Sequence, residues 1–111
     1  ACLVMGANGC MTAAAGIFPE IMVGIYKAFQ AGDLQKALEL QRAILVVIRT
    51  MFAAPFPIGF KLALEIRGIK MGPPLIPPSA ADIYQINTVK SRLKMVMDPL
   101  IDKYCTVLEI A

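Results

Sequence analysis

Residues 6 to 19 carry no charge, and the stretch Gly6-Ala7-Asn8-Gly9-Cys10-Met11-Thr12-Ala13-Ala14-Ala15-Gly16 constrains what this chain can fold into more than any other. Its centre, Cys10 to Ala14, is too short and too closely flanked by glycine for a stable helix. It reads as a buried strand over Gly9 to Ala14, bracketed by turns at Gly6/Gly9 and at Gly16. A strand covered on both faces loses its alternation and becomes an apolar run. No other stretch of the 111 residues reads as a partner for it. A lone strand leaves both rows of backbone N–H and C=O groups unpaired, which is costly in a buried setting. The stretch is therefore expected to be one stave of a sheet whose other strands lie outside this chain.

The rest of the pattern is helical. Ala1 to Met5 reads as the end of a helix stopped by Gly6. Phe18-Pro19-Glu20 opens a helix with proline at its first position and an acid beside its N-terminus, running to Gln30 and ending at Ala31-Gly32. Ile21, Ile25 and Ala28 or Phe29 share one face of it. Asp33 caps the next helix, which reaches Phe52. Val46 and Val47 widen its apolar stripe, so it is expected to be covered from more than one direction. Ala54-Pro55-Phe56-Pro57 links to a short helix from Ile58 to Arg67, ended by Gly68. Met71 to Pro78 is extended, because proline lacks a donor and restricts its predecessor. Ser79-Ala80-Ala81-Asp82 has the form of a capping box. The helix it opens carries a stripe of Ile83, Ile86, Val89, Leu93 and Val96. Asp98-Pro99 breaks that helix, and a final one follows with Leu100, Ile101, Tyr104, Val107 and Leu108 apolar.

Composition narrows the classes of function. Hydrophobic residues make up 58% of the chain and charged ones 17%, high for an independent soluble domain of this length. A membrane span is disfavoured: glycine, asparagine and proline punctuate the uncharged start, and Arg42 and Arg49 close in on the apolar run between them. No signal-peptide pattern is present, and the chain opens on Ala1, which fits a processed or truncated product. The net charge of +3 is unremarkable. Lys90, Arg92 and Lys94 have no interleaved aromatics, so they read as a solvated helix face and not a nucleic-acid surface. Cys2, Cys10 and Cys105 lack metal-ligand spacing and read as reduced thiols of a cytoplasmic protein. There is no histidine, so the usual general base and the commonest metal ligand are both missing.

The ordered motifs GANGCMTAAAGIFPE, YKAFQAGDLQKALELQ, FPIGFKLALEIRG and GPPLIPPS resemble the C-terminal portion of the dihydrodipicolinate synthase / N-acetylneuraminate lyase family, over about residues 1 to 95. The resemblance implies a fragment of a (β/α)8 TIM barrel: mainly helical, with Gly9 to Ala14 as barrel strand 8. Residues 1–32 would be the last strand and helix of the barrel, and residues 33–111 a C-terminal helical region. It also implies a lyase, an aldolase or synthase acting on pyruvate or another 2-oxo acid through a lysine Schiff base, without a separate cofactor or metal. The implied partners are the remainder of its own barrel, the 2-oxo acid and further copies in a homo-oligomer such as a tetramer, with no nucleic acid or membrane.

Carried over position by position, Gly9, Cys10, Met11 and Thr12 would stand near the substrate, because the C-terminal end of a barrel strand borders the active site. Gly9 is the sharpest of these, since a glycine allows close backbone approach. Gly16 stands where the family usually has asparagine, and Met71 or Gly72 where the synthases often have arginine. The resemblance puts the Schiff-base lysine and the relay tyrosine upstream of this segment, so no catalytic residue is assigned here. Lys61 reads as an ordinary helix lysine, and Tyr26, Tyr84 and Tyr104 as packing residues. No complete set of nucleophile, acid/base and anion site is present, and the chain alone is expected to be inactive. The alternative is a non-enzymatic helical oligomerisation module, for which four or five amphipathic helices on short linkers are sufficient.

Overall fold

The computed structural model describes residues 1–105. The helices are α1 (Ala14–Ile17), α2 (Pro19–Gln30), α3 (Leu34–Met51), α4 (Ile58–Ile66) and α5 (Ala80–Tyr104), and there is no strand among the described residues. The contacts separate into two units, Ala1–Leu45 and a second beginning at Val46.

In the first unit, local chain chemistry sets most of the boundaries. The turn over Ala1 to Met5 ends as a helix does. The Ala7 N–H donates to the Cys2 carbonyl at 3.0 Å and the Gly6 N–H to the Leu3 carbonyl at 3.0 Å, the paired bonds of a Schellman stop. Pro19 begins α2, with Glu20 in its first turn. The same stop closes α2: Asp33 N–H donates to Ala28 and Gly32 N–H to Phe29, both at 2.9 Å. Gly32 has φ +76° there, a conformation a Cβ would strain. Asp33 then caps α3 through Oδ1, which accepts from the Lys36 N–H at 2.9 Å. One residue thus closes one helix and starts the next. Ala14, Ile17, Phe18, Ile21, Leu40 and Ile44 are buried in this unit.

The strand expected over Gly9 to Ala14 does not form. Residues 9–12 have no regular structure, Ala13 is in a turn and Ala14 opens α1. The physical reason is that a strand is held by its neighbours' hydrogen bonds, and among the described residues no other strand is present to supply them. The flanking alanines then take the local alternative, a single helical turn, with Ala15 N–H donating to Thr12 and Gly16 N–H to Ala13, both at 3.1 Å. The mainly helical character agrees with the expected fragment.

The second unit holds the end of α3, α4 and α5. Gly59 is buried on α4, and a Cβ built there would run into the Met51 carbonyl, so the two backbones meet without an intervening side chain. Phe60 stacks edge-on against Phe52 at 5.3 Å and Phe56 at 5.5 Å. Lys90 on α5 lies 3.7 Å from Glu65 on α4. On α5 the buried residues are Val89, Leu93 and Met97. Ile83 is half exposed and Val96 only partly covered, so the buried stripe is rotated from the expected one toward Met97. Val47 is fully buried but Val46 is half exposed, so α3 is not covered on the wider face its two valines suggested.

Two boundaries on α5 bear on its stability. Pro99 does not break the helix but lies inside it. Proline deprives the Met95 carbonyl of its helical partner, yet Met95 is 74% exposed, and water can satisfy that oxygen. The expected separate last helix is thus the end of α5, and Val107 and Leu108 lie outside the described residues. The capping box is formed: Ser79 Oγ accepts from the Asp82 N–H at 3.2 Å, and Asp82 Oδ2 accepts from the Ser79 N–H at 2.9 Å. Ser79→Ala should cost about 1 kcal/mol, read as a lower urea midpoint.

The hydroxyl of Ser79, and after it the Ser79 backbone N–H, hold the Asp82 carboxyl below its ordinary value. A carboxylate whose folded value is depressed adds stability above its unfolded value, about 3.9 for Asp. That part is lost as pH falls through the lowered folded value. The Ser79→Ala difference should therefore persist at neutral pH and shrink below about pH 4.

Candidate functional site

The four residues expected near a substrate are contiguous and open. Gly9 and Cys10 are exposed, Met11 is fully so, and Thr12 is partly covered. The Schellman stop at Gly6 fixes where the chain enters this stretch, and α1 fixes where it leaves. Thr12 Oγ1 accepts from the Ala14 N–H at 3.3 Å, a local turn bond that holds the hydroxyl against the start of α1. Among the described residues, Gly9, Cys10 and Met11 make no backbone hydrogen bond. The stretch therefore presents bare backbone donors and acceptors beside the exposed side chains of Cys10 and Met11. It can line a site built by other strands, but carries no group able to act as nucleophile or base at neutral pH apart from the Cys10 thiol.

The other candidates sit elsewhere. Lys61 on α4 donates from Nζ to the Pro73 carbonyl at 3.0 Å. It ties the proline-rich segment to the helix, a structural task that periodicity alone does not reveal. Lys61→Gln can keep a donor there, so a small stability change is expected, checked by thermal melting. Along that segment lies a groove of about 360 Å³, lined by Phe56, Ile58, Lys61, Leu75 and Asp82 among others. A second groove, of about 510 Å³, runs along α3 and α5 and contains Arg49 and Arg92. Tyr26 and Tyr84 are exposed, and Tyr104 carries the Lys103 ammonium 5.0 Å from its ring centre. Arg67 donates to Cys105 Sγ at 2.6 Å. Among the described residues no group of three His, Cys, Asp or Glu side chains is placed to hold a metal ion, and no helix is long and apolar enough to cross a membrane.

A family model, that of the dihydrodipicolinate synthetase family, matches residues 1–96. The chain belongs to that family. It is 39% identical over 80 residues to a 4-hydroxy-tetrahydrodipicolinate synthase of Methanoculleus marisnigri, covering 72% of this chain and 28% of that protein. To 4-hydroxy-tetrahydrodipicolinate synthase 2 of Halalkalibacterium halodurans it is 32% identical over 96 residues, 84% of this chain and 33% of that one. A DapA-like lyase of Halobacterium salinarum is 35% identical over 71 residues, which is 64% of this chain and 23% of that protein. The chain thus spans a third or less of these relatives, and corresponds to their C-terminal part. No solved structure matches it. The bare stretch at Gly9 to Thr12 lies within the residues that the family model matches.

Proposed function

We propose that this chain is the C-terminal part of a lyase, an aldolase or synthase, acting on pyruvate or another 2-oxo acid through a lysine Schiff base whose lysine lies in a part of the protein outside these residues. The observation that carries the reading is the family match over residues 1–96 at about a third of the relatives' length. In this reading Gly9 to Ala14 becomes the eighth barrel strand when its neighbours are present, and residues 33–111 form the helical extension beside the barrel. The family match favours this over a helical module without catalytic role.

The chemistry divides accordingly. The upstream lysine amine adds to the keto carbon and water leaves, giving an iminium that accepts the electron pair released when a C–H or C–C bond at the neighbouring carbon breaks. A positioned hydroxyl carries the proton. This chain's share is the wall of the pocket. Gly9 lets the backbone approach the substrate closely, Cys10 and Met11 shape the wall, and the Thr12 hydroxyl offers a hydrogen bond. The enzyme would be a cytoplasmic homo-oligomer.

Incubation of the 111-residue chain with pyruvate and borohydride, followed by peptide mass mapping, tests where the lysine lies. No reduced adduct is expected on any of its lysines, Lys61 included. When the upstream part of a family synthase is co-expressed with the chain, the adduct should appear, and on that upstream part. A trapped adduct within this chain would overturn the assignment.

A further inference from the structure

We draw no further inference here: the strongest candidate, the groove along α3 and α5 that contains Arg49 and Arg92, carries nothing, because nothing in the structure shows what covers that face.

Discussion

Gly59→Ala should lower the stability of the chain by about 3 kcal/mol, the upper end of what overpacking commonly costs. A helix interior normally welcomes alanine over glycine, by roughly 1 kcal/mol. Propensity alone would therefore predict a gain. Packing reverses the sign. The added methyl would occupy the place of the Met51 carbonyl, with that residue's carbonyl carbon and Cα also too near. These are backbone atoms at the end of α3 and cannot swing aside as a side chain can. Either α4 must shift, opening space around the buried Leu62 and Ala63, or the last turn of α3 must unwind. Urea denaturation checks this: a lower midpoint at unchanged slope is the expected result. A midpoint equal to or above that of the unaltered chain would mean that α3 and α4 do not meet at Gly59.

Phe18→Ala should cost about 3–5 kcal/mol, the usual range for removing a buried aromatic side chain. Phe18 has no solvent exposure, sits between α1 and α2, and lies with the buried Ala14, Ile17 and Ile21. Its backbone N–H also closes α1 by donating to the Ala14 carbonyl at 2.9 Å. The substitution would leave a void where α1 turns into α2, and α1 has only four residues to hold itself together. Loss of the fluorescence-independent near-native helix signal at lower urea, measured by circular dichroism, is the readout. A cost below about 1 kcal/mol would mean that the first unit does not have this core.

What could be read from the sequence was whatever a few neighbouring residues decide. Gly32 and Asp33 announce a stop and a cap, and both act as such; Ser79 and Asp82 form their box; Pro55 to Pro57 and Met71 to Pro78 stay out of helix. What could not be read depends on atoms distant along the chain. Pro99 is tolerated because Met95 faces water, which a local rule for proline cannot know. Ile83 and Val96 suit an apolar stripe as well as Met97 does, and only the placement of the covering elements chooses Met97. The Lys61 bond to Pro73 spans twelve residues and leaves no periodic trace. In the candidate site, the residue types of Gly9 to Thr12 were legible but their irregular conformation was not, because an apolar run bounded by glycines suits a strand and a loop alike. Arg49 and Arg92 share a groove through tertiary structure, although a search for cations lacking an acid three or four residues away would have flagged both.

Amide hydrogen exchange at Cys10 to Ala13 probes the central claim directly, measured once on the chain alone and once on the chain co-expressed with the upstream part of a family synthase. Alone, those amides should exchange at close to unprotected rates; in the assembled barrel they should slow by about a hundredfold or more, as paired strand amides do. Strong protection already present in the isolated chain, or none gained in a complex that traps pyruvate, would contradict the reading of these residues as a barrel strand waiting for its neighbours.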